Sequence, residues 1–442
     1  MKIGLLGSGG REHAMALALS KSRRDALFVF ASHHNPGIER LAERVNIGGL
    51  TDLPRVVDFF RSLAVDYVVI GPEAPVSVGV VDQLHQAGIS VVGPTRSQSL
   101  IEGDKSFMRD LSQRRVGWGS PAWRLVQTRQ EAADFMAQAG QVAVKPTGLT
   151  GGKGVQVMGV HLQTTTEALD LVEDWIQKVG QVLLEERLVG EEFSRMVFVS
   201  DDVIVPMPVA QDFKYAYDGD TGGMTGGMGS YTTAGGSMPF LGPDDLIQAD
   251  RLIKETLDAL AAETGQAYRG FLYGQFMTTA DGIRVIEYNA RLGDPEAINA
   301  MLLLQGDVAA LLDQVASGEL DPGGVVFAPQ ASLCKYLVPA GYPDDPGDPQ
   351  TFTLDEERVN EANFSIIYAS VVSARDAYQT LGSRTLAIAG LGDEPGEISS
   401  RMEELIARVE PRGLRHRKDV GDADVIRRKV NRMARLRGQR QD

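Results

Sequence analysis

Through the first hundred residues, short runs of Val, Ile, Leu and Phe alternate with longer stretches whose apolar positions recur every three or four residues. Ile3–Leu6, Leu27–Ala31, Tyr67–Ile70 and Ser90–Val92 read as strands, and Glu12–Ser20, Leu53–Ser62 and Val80–Ala87 as helices. That alternation predicts βαβ units and a parallel sheet covered on both faces. From Ile101 the pattern changes. Ser106–Arg114, Gln130–Ala139 and Thr166–Val179 carry a helical period, and between the last two a strand, Val142–Val144, leads through glycines to another, Val155–Met158. Val182–Leu188 reads as a strand running out to an open end at Ser194. A helix, Asp244–Glu263, precedes the hairpin of Phe271–Met277 and Ile283–Asn289. The last third mixes strands (Ser332–Val338, Phe364–Val372, Arg384–Ala389) with helices Glu397–Val409 and Asp424–Arg437. The fold class is α/β: a Rossmann-like N-terminal domain over 1–100, a central region over 101–325 with a lid at 120–190, and a small α+β domain over 326–442.

A chain of 442 residues is too long for one hydrophobic core, so several domains are expected. No apolar run is long enough to span a membrane, and Met1–Gly7 reads as a first strand rather than a signal peptide. The single cysteine, Cys334, cannot form an internal disulfide, which points to the cytoplasm. A net charge of −15 argues against nucleic acid as a partner. The charge is uneven, since residues 401–442 hold 13 Lys/Arg against 7 Asp/Glu. Helix Asp424–Arg437 is therefore expected to be a solvated face or to pack on an acidic domain, with RNA contact as the lesser alternative.

Candidate chemistry concentrates in a few stretches. Lys145 ends a strand and is followed by Gly148, Gly151, Gly152, Lys153 and Gly154. Glycines let backbone N–H groups approach an anion and the ammonium groups supply charge, which suits a polyphosphate under a moving lid. The stretch is not a P-loop, because no GxxxxGK[ST] opens a helix. Gly7–His13 fails the dinucleotide fingerprint, with Glu12 where the third glycine belongs, yet Gly9, Gly10 and Arg11 at a helix start suit a phosphate monoester. Glu73 follows the strand Tyr67–Ile70 at the sheet edge where open α/β folds bind ligands. The glycine-dense segment Asp218–Gly236 reads as a substrate loop. On a strand, Glu287, Asn289 and Arg291 point to one face, and a carboxylate with an amide oxygen there suits Mg²⁺.

Taken in order, Lys105, Lys145, Lys153, the Glu185–Glu192 strand end and the Glu287/Asn289 pair resemble the ATP-grasp carboxylate–amine ligases. The resemblance runs along essentially the whole chain to the purine-synthesis branch of that family. It is carried by Gly9-Gly10-Arg11-Glu12-His13-Ala14, Gly71-Pro72-Glu73-Ala74-Pro75, Gly148-Leu149-Thr150-Gly151-Gly152-Lys153-Gly154-Val155, Thr225-Gly226-Gly227-Met228-Gly229 and Arg291-Leu292-Gly293-Asp294-Pro295-Glu296. Its Leu-Thr-Gly-Gly-Lys stretch is similar to archaeal-type members. The resemblance implies ATP-grasp domains and an ADP-forming ligase that joins glycine to 5-phosphoribosylamine through glycyl phosphate, with ATP and Mg²⁺ or Mn²⁺. It implies small-molecule substrates, no membrane partner, and a monomer or homodimer.

By motif match, Lys105, Lys145, Gly151, Gly152, Lys153 and Gly154 would hold phosphates, the backbone at Glu185, Glu186 and Leu188 the adenine, and Glu192 the ribose. Glu287 and Asn289 would hold the metal. Arg291, with Asp212 and Lys214, would act in catalysis, and Gly9, Gly10, Arg11, Glu73, Thr225, Gly226, Gly227 and Asp294 would bind substrate. The chain departs from the family pattern at Phe213, Tyr215, Thr221–Met224 and Leu292, where His, Arg, Lys-Gly-Pro-Asn and Phe are usual. Those changes fall in a loop expected to face the substrates, so the alternative is a paralogue using another amino acid or amine.

Overall fold

The computed structural model describes residues 1–22, 25–147, 154–409 and 411–438. The N-terminal region forms a five-stranded parallel sheet in the order Arg44–Ile47, Ala26–Ala31, Lys2–Leu6, Tyr67–Ile70, Ser90–Val92. Its strand order reverses between Lys2–Leu6 and Tyr67–Ile70, which opens a ligand crevice at their carboxyl ends. Apolar clusters cover both faces, as the unbroken Val/Ile/Leu runs require. The helices after the first, third and fourth strands, Gly10–Leu19, Leu53–Leu63 and Val80–Gln86, lie within two residues of expectation.

The lid is a four-stranded antiparallel sheet, Trp123–Val126, Val182–Glu186, Val142–Lys145, Gln156–Val157, against which helices Arg129–Ala139 and Thr165–Val179 bury Phe135, Met136 and Val172. The second antiparallel sheet runs Val203–Pro206, Gly190–Ser200, Arg269–Thr279, Gly282–Asn289. Here the expectation of an open strand end at 189–194 fails. Gly190 starts an 11-residue strand paired along its whole length with Arg269–Thr279. The chain can make that pairing because a Cβ at Gly190 would lie 1.8 Å from the Thr278 carbonyl oxygen, a space that only glycine leaves empty.

The glycine-dense segment expected as a substrate loop contains regular structure. Tyr215–Tyr217 and Thr221–Met224 form a hairpin, and Gly229–Thr232 pairs with Ala331–Pro339 in a six-stranded sheet. That sheet draws strands from both sides of the expected boundary at 325. Its other members include Leu386–Gly392 and Phe364–Tyr368; the expected strand Phe364–Val372 breaks after Tyr368 and resumes as Val371–Ala374 in a separate three-stranded sheet. The basic C-terminal helix, Ala423–Leu436, lies on acidic neighbours, Arg432 meeting Glu191 at 2.9 Å and Arg437 meeting Asp245. Among the described residues no helix is long and apolar enough to cross a membrane.

Candidate active site

The reacting groups gather where the lid sheet faces the second antiparallel sheet. Strand Gly282–Asn289 carries Glu287 and Asn289 on one face, with a register shift opposite Gln275 and Phe276. The Glu287 carboxyl is buried, which alone would raise its pKa, but Lys214, Lys145 and Lys105 around it hold it below the ordinary value. The Asn289 amide donates to Glu287 at 3.4 Å and accepts from Arg291 at 3.2 Å. An ionised carboxylate beside an amide oxygen fits a hard divalent cation that completes its shell with water and phosphate. Among the described residues no group of three His, Cys, Asp or Glu could hold a metal unaided.

Lys145, at the end of its strand, donates to Glu185 at 2.6 Å. Glu185 in turn receives two bonds from Arg109, at 2.7 and 2.9 Å, and Arg109 also donates to the carbonyls of Val285 and Ile286. Burial opposes the charge on Glu185, yet Arg109 and then Lys145 pull its pKa down to about 2. Its side chain therefore serves the lysine. Glu186 and Leu188 follow it, half-buried, at the lid edge. Lys105 opens helix Lys105–Leu111, and burial lowers its pKa against the pull of Glu287. Lys214 bonds Glu192 at 3.1 Å and lies 4.0 Å from Asp212. Burial would weaken its charge, but Asp212, Glu192 and Glu287 raise its pKa. Glu192 also accepts from Gln275 at 3.1 Å. Gly151, Gly152 and Lys153 lie outside the described residues; Gly154, beside Trp175 and Pro146, ends that loop.

Arg291 reaches Glu102 through Nη2 at 2.9 Å, and its buried Nε faces Glu73 Oε2 at 3.5 Å as an ion pair, with no aligned hydrogen bond among the described residues. Asp212 Oδ1 is buried and unpartnered in the same sense. Glu296, at the start of helix Glu296–Leu303, accepts from Tyr273 at 2.8 Å; burial and then Asp212 push its carboxyl up to about 7. The first turn is arranged otherwise than its sequence suggested. Arg11 is buried, donating to Glu12 at 2.7 Å and to the Leu292 carbonyl at 2.9 Å, and the Gly9 N–H is taken by Glu12 at 2.6 Å. Asp294 is held by Arg384 and Tyr336, and Thr225 bonds the Lys214 carbonyl at 2.8 Å.

Two of the departures from the family pattern, Phe213 and Leu292, do not line this cluster, whereas Tyr215 is half-buried within electrostatic reach of Glu192 and Lys214. Phe213 is 1% exposed, packed on Tyr231 with Arg417 and Lys429 over its ring, and Leu292 is 1% exposed in another core. Sequence reasoning missed Arg109, Glu102, Gln275, Tyr273, Arg384 and Tyr336, and gave Glu296 no role. Only Arg109 left a signal, one helical turn after Lys105.

Two antiparallel sheets, one ending in Lys145 and the other carrying the Glu287–Asn289 pair, with Lys105 and Lys214 beside them, define an ATP-dependent ligase of the ATP-grasp class. Residues 1–102, 103–297 and 332–423 match the N, ATP-grasp and C domains of phosphoribosylglycinamide synthetase. The chain is 40% identical over 439 residues to the phosphoribosylamine–glycine ligase of Methanosarcina barkeri, covering 99% of this chain and 100% of that one. It is 39% identical over 439 residues to the Pyrococcus furiosus ligase of the same name, covering 99% and 98%. The solved Thermotoga maritima phosphoribosylamine–glycine ligase is 26% identical with a TM-score of 0.79, covering 95% of this chain and 100% of that one. The chain belongs to the phosphoribosylglycinamide synthetase family.

Proposed function

We propose that this protein joins glycine to 5-phosphoribosylamine, giving glycinamide ribonucleotide, ADP and phosphate. A carboxylate oxygen of glycine attacks the γ-phosphorus of ATP, ADP leaves, and the amine then attacks the acyl carbon, losing a proton as phosphate departs. The observation that carries this reading is the convergence of Lys105, Lys145 and Lys214 on Glu287, on a chain similar end to end to ligases of that name. Such a cluster suits phosphoryl transfer, where positioning and charge neutralisation supply most of the catalysis. Glu287 and Asn289 would hold Mg²⁺ or Mn²⁺, which neutralises phosphate charge. Arg291, now shared between Glu102 and Glu73, would take the glycine carboxylate, and the buried, unpartnered Asp212 Oδ1 its ammonium. Glu73, Asp294 and the turns around them would receive the sugar phosphate. A cytoplasmic monomer or homodimer acting on small molecules goes with this reading.

The test is ADP release by purified protein with Mg²⁺ and ATP across a panel of amino acids, with and without phosphoribosylamine made in situ, followed by product mass. Glycinamide ribonucleotide formed only with glycine and the amine is expected. Turnover only with another amino acid or amine would overturn the assignment.

A further inference from the structure

The C-terminal domain inserts two side chains between the other domains. Arg384 donates through one nitrogen to the carbonyls of Gly226 at 2.9 Å, Gly227 at 3.1 Å and Asp294 at 2.8 Å, and through another to the Asp294 carboxylate at 3.0 Å. Its guanidinium lies over the Tyr336 ring, 4.6 Å from the centroid, and the Tyr336 hydroxyl donates to the other oxygen of Asp294 at 2.6 Å. That hydroxyl also covers the first glycine turn, since a Cβ on Gly10 would lie 2.1 Å from it. Three segments from three parts of the chain are thus fixed together: the Gly9–Gly10 turn, the Thr225–Gly227 loop and Asp294.

The junction is braced on its far side. The Arg384 carbonyl accepts from the Ser370 N–H at 2.9 Å. The residues just before Ser370 clasp the N-terminal domain, with Asn35 donating to the Tyr368 carbonyl at 2.9 Å and His33 bonding the Ala369 carbonyl at 2.8 Å. The clasp and the junction flank the crevice where the parallel sheet reverses order, the place for a phosphorylated ligand in such a sheet. Without the guanidinium, Asp294 would be a half-paired anion beside an anionic substrate, and the 226–227 carbonyls would lose their shared donor.

We infer that Arg384, stacked on Tyr336, is a positioning residue for the sugar-amine substrate, setting Asp294 and the Gly226–Gly227 backbone from the C-terminal domain. The inference rests on the proposed function and adds the C-terminal domain to its acceptor site. The experiment is steady-state kinetics varying each substrate, with calorimetric binding of glycinamide ribonucleotide, for Arg384→Ala, Arg384→Lys and Tyr336→Phe. Arg384→Ala is expected to raise the KM for phosphoribosylamine and weaken product binding by roughly tenfold or more, with the KM values for ATP and glycine within about twofold of wild type. Arg384→Lys should recover part of the loss, because an ammonium can pair with Asp294 but cannot serve the carbonyls at once. Tyr336→Phe, which keeps the ring and removes one bond to Asp294, should move the same KM in the same direction by several fold.

An unchanged phosphoribosylamine KM in Arg384→Ala, or equal shifts of all three KM values in every variant, overturns the inference. If Arg384→Ala does not fold, Tyr336→Phe decides on the same two criteria. Wild-type protein that makes no glycinamide ribonucleotide overturns the function and the inference with it. Wild type that makes it while the variants keep their KM overturns the inference alone.

Discussion

Arg109→Met removes a guanidinium that is 0% exposed and bonds both oxygens of Glu185 and two carbonyls of the strand leading to Glu287. What remains is a buried carboxylate with Lys145 as its one ion-pair partner, and breaking a buried pair from one side costs about 3–5 kcal/mol. The depressed titration of Glu185, a fall from 4.5 to about 2 in which Arg109 and then Lys145 together overcome burial, corresponds to about 3 kcal/mol for the two partners jointly. The sign follows from linkage. The folded-state pKa lies below the unfolded one, so the stabilisation is present above the unfolded value and is lost as pH falls towards about 2. Urea unfolding of wild type and variant without nucleotide should therefore show a deficit of about 3 kcal/mol near pH 7, narrowing as pH drops below about 4.5. The variant should also have a raised KM for ATP, because Lys145 would then share an unbalanced carboxylate. A deficit under about 1 kcal/mol, or one constant from about pH 7 to pH 3, would refute the claim that this pair anchors the lysine.

Glu287→Gln removes the anion at the cation site and should lower ligase turnover by about a hundredfold or more, with Mg²⁺-dependent nucleotide binding weakened in calorimetry; full turnover would remove the metal assignment. Gly10→Ala places a Cβ 2.1 Å from the Tyr336 hydroxyl and 3.2 Å from the ring carbon bearing it, so it should cost about 1–3 kcal/mol. Adding Tyr336→Phe takes the hydroxyl away, and the pair should regain much of that loss in thermal unfolding; no recovery would show that another contact sets the glycine. Phe213→His restores the residue usual in the family and should cost about 1–3 kcal/mol, since Arg417 and Lys429 over the ring forbid a charged imidazole. A changed choice of amino acid with unaltered stability would instead favour the paralogue reading.

Which parts of the fold the sequence disclosed follows from where each element is buried. Lys2–Leu6 and Tyr67–Ile70 are interior strands of a parallel sheet, apolar on both faces, so unbroken runs gave them away. Arg44–Ile47 sits at the sheet edge, exposed or half-buried with Arg and Asn among its four residues, and leaves no period to read. The run Phe364–Val372 looked continuous because hydropathy is blind to backbone partners; the chain breaks where the Tyr368 and Ala369 carbonyls turn to Asn35 and His33. Within the site, Glu287 and Asn289 were visible because a strand with a period of two puts polar groups on one face. Arg109 and Arg384 were not, for their partners lie 76 residues away in one case and 90 and 158 in the other.

The glycines carry the sharper lesson, because one signature stands for two physical causes. In sequence, Gly9-Gly10 reads as room for a phosphate and Gly226-Gly227 as part of a substrate loop. The Gly9 N–H, however, already has a carboxylate from Glu12, and Gly10 makes room for the Tyr336 hydroxyl. Gly226 would bring a Cβ within 3.2 Å of the Arg384 guanidinium, and Gly227, at φ +111°, within 2.5 Å of Pro295. Gly10 and Gly226 let the C-terminal domain close against the other two, so changing them should disturb acceptor binding through packing even where no phosphate is touched. A glycine motif in such a ligase is then evidence about which chain segments meet, and only through that about the ligand they enclose.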